Sequence, residues 1–161
     1  VETIVYREAT IDEIYLLRFA VLRPGRVPER IHFAGDELGP PLTWHFGAFD
    51  RGGGPGGDGL RNVGCLTLFV NVFEGRRAIQ LRGMAVAAGE RSRGIGSRLL
   101  ERAWGAIRED PRGQEVAELP WWCNARVEAI GFYQRNGWEV VSEVFTIEGA
   151  GLHRRMVKGL K

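Results

Sequence analysis

Hydrophobic and polar positions change period repeatedly along the chain, and each change marks an element. Residues 2–8, Glu2-Thr3-Ile4-Val5-Tyr6-Arg7-Glu8, are rich in β-formers and predict a first strand. Thr10-Ile11-Asp12-Glu13 is a capping-box pattern, and Ile11, Ile14, Leu17 and Leu22 then recur at helical spacing until Pro24-Gly25. Three further prolines and mixed charge make residues 26–42 a loop with at most a short helix, either a pocket cover or a plain surface connection. Strands are predicted over 42–49 and 62–72, separated by a stretch with six glycines in the nine residues 51–59. The turn at 74–77 leads into a third strand of this antiparallel half, ending near Val86.

After Gly96 the period returns to helical, with Leu99, Leu100, Ala103, Trp104 and Ile107 on one side and Arg98, Glu101, Arg102, Arg108 and Glu109 on the other. Asp110-Pro111-Arg112-Gly113 ends that helix, and residues 119–123 form a short strand with Pro120 near its start. Asn124 is expected to open a helix through Gln134, closed by Asn136-Gly137. Two last strands, about 138–147 and 152–158, are joined by a turn at 148–151 as an antiparallel hairpin. The order β-α-β-β-β-α-β-α-β-β predicts one α/β domain over residues 1–161. Its sheet is mixed and mostly antiparallel, of about seven strands, with helices on both faces and the helix after residue 94 crossing to a parallel neighbour.

Residues 80–104 carry the clearest chemistry. A buried strand runs into a polar turn with Gly94 and Gly96, then into the amphipathic helix. N–H groups at a helix start have no intrahelical partner and favour anions, and glycines let a phosphate approach closely. Arg91 and Arg93 add positive charge beside that turn.

Composition narrows the classes without choosing among them. Net charge is +2 with both signs interspersed, which gives no reason to expect nucleic acid, although 20 of the 22 basic residues are arginine. Cys65 and Cys123 lie in apolar runs and read as buried thiols of a reducing compartment. No His/Cys cluster suggests a metal, and no apolar run reaches the ~18 residues of a membrane span. A cytoplasmic protein is therefore expected, with no membrane partner.

Two motifs then fall in order. Arg91-Ser92-Arg93-Gly94-Ile95-Gly96 fits the pattern Gln/Arg-x-x-Gly-x-Gly/Ala directly after a strand. Ala129-Ile130-Gly131-Phe132-Tyr133-Gln134-Arg135-Asn136-Gly137-Trp138 fits Ala-x-x-Phe-Tyr-x-x-x-Gly-Phe, with tryptophan in the last place. On these residues, and on the order of elements over essentially the whole chain, the sequence resembles the GNAT superfamily of acyl-CoA-dependent N-acetyltransferases.

The resemblance implies acetyl-CoA as donor, an amine as acceptor and a splayed parallel strand pair at the centre of the sheet. The pyrophosphate would lie on the N–H groups of Arg91, Ser92, Arg93, Gly94, Ile95, Gly96 and Ser97, and the pantetheine arm between Met84-Ala85-Val86 and the strand near Trp122-Cys123. Asn124 and Phe132 would flank that arm. Tyr133 matches the general acid of many members, and the Met84–Val86 backbone is a candidate for the oxyanion. Homodimers are common in the family, although no interface is identified here.

The general base is left open by the residues. Lysine-acetylating members carry a glutamate four residues before the position of Met84, where this chain has Gln80. His45, His153, Glu118, Glu143 or an ordered water relay are the candidates. Strand alternation places Arg82 on the face of Met84 and Val86, where it would either hold an acidic group of the substrate or pair with a glutamate such as Glu118. A non-catalytic acyl-CoA-sensing module is the alternative function. An aminoacyl-tRNA-acetylating toxin fits less well without a clustered basic face, and a Rossmann binder lacks GxGxxG after its first strand.

Overall fold

A computed structural model describes residues 3–23, 33–52 and 59–159. The expected helix stop at Pro24-Gly25 and most of the glycine stretch lie outside the described residues. Eight strands form one sheet: β1 (Ile4–Ala9), β2 (Thr43–Asp50), β3 (Arg61–Phe73), β4 (Arg76–Val86), β5 (Trp121–Arg126), β6 (Glu139–Val140), β7 (Phe145–Ile147) and β8 (Gly151–Lys158). Their order is β1-β2-β3-β4-β5-β8-β6, with β7 also on β8. All neighbours are antiparallel except β4 and β5. The mixed, mostly antiparallel sheet predicted from the pattern is therefore present. Its expected penultimate strand is broken into β6 and β7, which both pair with β8.

The helices are α1 (Ile11–Leu22), α2 (Ile95–Glu109) and the short α3 (Ile130–Arg135). Thr10 and Glu13 form the anticipated capping box at the start of α1. Helix α2 buries Leu99, Leu100, Ala103 and Ile107 against Trp44, Phe46, Leu66, Leu68 and Leu81 of the sheet in the main core, and Ile95 against Ile4, Ala48 and Val63. On the other face, Ile14 of α1 packs with Phe49, Cys65 and Ala85. The helix expected from Asn124 begins later. Asn124, Ala125 and Arg126 pair with Arg155, Arg154 and His153 of β8, so ladder bonds keep them extended.

A buried polar network ties α1 to the sheet and to residues 33–42. Arg18 is fully buried and grips Asp36 through N–H donors at 2.6 and 3.3 Å. It also donates to the hydroxyl of Thr67 on β3. Asp36 additionally accepts from the Phe33 N–H at 2.8 Å, which folds the segment back over α1. Removing one partner of a buried pair strands the other charge away from water. Asp36→Ala is expected to destabilise the protein by about 3–5 kcal/mol in urea-induced unfolding; a loss under about 1 kcal/mol would show that water reaches Arg18 readily.

Candidate active site

The site begins where β4 and β5 part. They share only the pairs Ile79↔Trp121 and Gln80↔Trp122. Beyond these, β4 continues to Val86 and β5 to Arg126, each paired on its far side alone. Two cavities occupy the gap and share Met84, Ala129 and Tyr133. One, about 320 Å³, opens on the α1 side between Phe33, Arg82, Asn124, Arg126 and His153. The other, about 440 Å³, runs from Val86 past Arg91, Gly94, Gly96 and Ser97 to Phe132 and Arg135.

A β-bulge sets the geometry of β4. Cys65 faces Ala85 but Thr67 faces Arg82, so β4 holds one residue more than β3 across this interval, at Gly83–Met84. Gly83 has φ +65°, and a Cβ there would lie 2.7 Å from the Arg18 Nε and 3.3 Å from the Phe33 ring. The bulge reverses the facing of the strand. Leu81 belongs to the α2-side core, whereas Ala85, of the same parity, packs against α1. The expected common face for Arg82 and Met84 is thereby overturned: Arg82 lies over Phe69 and Phe33, while Met84 packs on the α2-side core. Nor does Arg82 pair with Glu118, which binds Arg108 at 2.8 Å; it donates to the Ala34 carbonyl at 2.7 Å.

Tyr133 sits at the junction of the two cavities. The end of α3 holds it there: the Trp138 N–H returns to the Tyr133 carbonyl and the Gly137 N–H to that of Gln134, a Schellman closure. Its ring meets Phe132 and Trp138 edge-on, at centroid distances of 5.2 and 5.3 Å. Burial raises the phenol pKa well above its ordinary value, so the hydroxyl stays protonated.

The second cavity ends on the start of α2. Gly94 occupies the N-cap and offers no side chain to the first N–H groups of the helix. A Cβ on Gly96 would lie 3.0 Å from the Phe132 ring and 3.4 Å from the Met84 Cε, so glycine is what allows α2 and α3 to approach here. Asn136 bridges the same helices, donating to the Ser97 hydroxyl at 3.1 Å and to the Phe132 carbonyl at 2.9 Å.

The remaining sequence-derived candidates separate clearly. Arg91 lines the second cavity with Arg135, a cation that the motif reading overlooked. Arg93 turns away, bonding Glu90 at 2.6 Å and Asp50 at 3.1 Å. In that cluster the Gly52 N–H, the Thr3 hydroxyl and Arg93 hold the Asp50 carboxyl at about 2. The Ile95 side chain is core, and Ser92 is exposed. Asn124 lines the first cavity, its Oδ1 buried without a partner. Gln80 accepts from Asn71 at 2.7 Å, and Asn71 in turn accepts from Trp122 at 3.0 Å.

The two histidines have different surroundings. His45 is 6% exposed, lines neither cavity and has both ring nitrogens engaged. Nε2–H donates to the Asp36 carbonyl at 2.8 Å, and Nδ1 accepts from Thr67 at 2.7 Å. Burial also lowers its pKa, consistent with a neutral ring completing the Arg18–Asp36 network. His153 lines the first cavity, and its Nδ1 lies 2.8 Å from the Gly151 carbonyl. A carbonyl only accepts, so Nδ1 carries the hydrogen and the neutral ring presents Nε2 as an acceptor. Both cysteines are buried, Cys65 is pushed up to about 12 and Cys123 is raised by the same cause, so neither is a ready thiolate.

Comparison with known proteins decides the family. The acetyltransferase (GNAT) domain model matches residues 58–140, just over half of the chain. The chain belongs to the GNAT acetyltransferase family. It is 29% identical over 153 residues to an uncharacterized N-acetyltransferase, YitI, of Bacillus subtilis (strain 168), covering 94% of this chain and 93% of that protein. Its fold is similar to Escherichia coli ElaA, with TM-score 0.71, 16% identity and coverage of 96% and 99% of the two chains. Arabidopsis thaliana NAA60 in complex with acetyl-CoA gives TM-score 0.67 and 16% identity over 96% and 97%.

The bulge is the local feature on which this GNAT site most depends. Gly83→Ala is expected to cost about 1–3 kcal/mol in thermal or urea unfolding, because alanine at positive φ is strained and its methyl meets Arg18. Stability equal to the parent would mean that β4 does not need the bulge.

Proposed function

We propose that this GNAT protein transfers an acetyl group from acetyl-CoA to a primary amine by direct attack, with Tyr133 as general acid. The observation that carries this reading is the shared position of Tyr133, which faces both cavities at the point where β4 and β5 separate. The residues fit the donor. The gap leaves strand edges for amide groups, Asn124 offers a buried acceptor that no protein donor uses, and the Gly94–Ser97 turn ends on an uncapped helix start flanked by Arg91 and Arg135. A pantetheine arm and a pyrophosphate are the chemical groups those features would take.

When bound, acetyl-CoA supplies an activated carbonyl and a thiolate leaving group that needs a proton. Tyr133 holds that proton on Oη; burial keeps it there until a thiolate, desolvated in the same apolar setting, requires it. The backbone at the Gly83–Met84 bulge is released from the regular ladder with β3 and is suited to the oxyanion. On the acceptor side, Nε2 of His153 takes a proton from the attacking amine, directly or through water. Burial raises the Cys123 thiol, which makes it a poor covalent nucleophile and agrees with direct attack.

Tyr133→Phe should lower kcat by about 100-fold or more while changing the acetyl-CoA Kd less than about twofold, measured by thiol release and calorimetry. An unchanged kcat at saturating substrate would remove Tyr133 from the chemistry. His153→Gln should lower kcat/KM by about tenfold or more with the acetyl-CoA Kd within about twofold, whereas an unaltered kcat/KM would move the base to water or a carboxylate.

A further inference from the structure

The α1-side cavity has a charge pattern that acetyl transfer as such does not require. Arg82 from β4 and Arg126 from β5 line it, one on each parted strand, with Arg23 at the end of α1. Among the described residues that line it there is no aspartate or glutamate. Several arginines elsewhere find acids: Arg7 with Glu13, Arg61 with Glu90, Arg108 with Glu118 and Arg112 with Asp110.

Arg82 and Arg126 have no such partner among the described residues. Arg82 gives one N–H to the Ala34 carbonyl, lies 4.3 Å over the Phe69 ring, and has a buried Nε with no acceptor. Arg126 gives one N–H to the Leu22 carbonyl at 3.0 Å. The acid that acts on Arg82, Asp36, is already held by Arg18 at 2.6 Å. Each guanidinium has five donors in a fixed fork, so both retain capacity for an oxyanion. The contacts already made fix the two groups in place without neutralising them.

We propose that the acceptor is a small amine that also bears an anionic group, a carboxylate or a phosphate, and that Arg82 and Arg126 hold that group while the amine faces His153 and Tyr133. The proposal rests on the acetyl-transfer reading above and specifies its acceptor. Two uncompensated guanidinium groups repel polyamines and lysine-rich peptides, whose extra cations would enter the same volume of about 320 Å³. An oxyanion instead gains charge-assisted bonds inside a partly desolvated cavity. Phe33, whose ring lies under the Arg18 guanidinium, lines the same cavity and offers an apolar surface to the rest of the ligand.

Binding and turnover test different parts of this proposal. Protein saturated with CoA, which cannot transfer acetyl, is titrated calorimetrically with glycine, phenylalanine, glutamate and O-phosphoethanolamine. The controls are glycinamide, phenylalaninamide, the diamide of glutamate, ethanolamine and spermidine. The anionic member of at least one pair should bind about tenfold or more tightly than its neutral-ended twin. Arg82→Gln and Arg126→Gln should each cut that preference to about threefold or less, with CoA affinity within about twofold and Arg82→Lys retaining part of it. No preference in any pair, or tighter binding of spermidine, overturns the proposal. Thiol release from acetyl-CoA is followed with the same panel. An anionic preference in binding without release would leave the charge assignment standing and sink acetyl transfer. Equal kcat/KM for spermidine and the anionic amines would do the reverse.

Discussion

One extra residue in β4 determines most of what happens at the centre of this protein. Without the bulge at Gly83–Met84, β4 would keep its alternation and present Met84 and Ala85 on the opposite faces. The strand could also run on flat beside β5. With it, Leu81 and Ala85 serve different cores, Arg82 turns towards α1, and Met84 turns towards Gly96 and Phe132. The parallel pairing ends three residues earlier, at Gln80↔Trp122. Ladder bonds lost on that side must be replaced, because buried backbone groups need partners. A ligand with amides of its own is one way to replace them, which links the defect in the sheet to the chemistry proposed for the gap.

Such a distortion persists only where its surroundings impose it. Here the support is the buried polar network on the α1 side. Arg18 lies against Gly83, pairs with Asp36 and reaches Thr67, and His45 connects Thr67 back to Asp36. Four side chains from α1, the 33–42 segment, β2 and β3 thus converge beside the bulge. Replacing any one of them leaves a buried donor or acceptor unsatisfied, so the arrangement acts as a unit. His45 contributes to the site through this network, by shaping β4, rather than through a proton of its own.

Local patterns and long-range contacts were unequally legible in the sequence. The capping box at Thr10-Glu13, the α2 stripe from Leu99 to Ile107 and the Asn136-Gly137 closure depend on neighbours a few residues apart, and a linear reading recovers them. The two motifs likewise point to Gly94, Gly96, Phe132 and Tyr133, which line one cavity, because each motif is a contiguous pattern. Strand facing beyond residue 82 was misread because alternation assumes a regular ladder, and a bulge is visible only in the register against β3. Asn124 was assigned to a helix because its pairing with Arg155, which keeps it extended, lies 31 positions away. The Arg93 side chain turns from the expected anion seat because Asp50, 43 positions away, joins the neighbouring Glu90 in binding it. Arg135 was overlooked because nothing local distinguishes it from a solvated helix arginine.

The two cavities meet at Tyr133 but present different chemistry. On one side of it, glycines and an uncapped helix start give a surface of backbone donors, suited to the pyrophosphate proposed above without depending on side-chain identity. That side is legible as a motif because its chemistry constrains Gly94 and Gly96 directly. On its other side, the α1-side cavity presents side chains of β4, β5 and β8, namely Arg82, Arg126 and His153; register sets Arg126 against His153, whereas Arg82 stands on a strand that has stopped pairing with β5. Substitution at those positions would alter the acceptor chemistry proposed above without touching the Gly94–Ser97 turn. Gln80 illustrates the point: bonded to Asn71 and through it to Trp122, it secures the last parallel pair before the strands diverge. A glutamate there could accept the same Asn71 N–H, so this bond ties the strands together whichever of the two side chains stands at residue 80. What the amide lacks is a basic oxygen, and the proton transfer proposed above is accordingly placed at His153, farther along the gap.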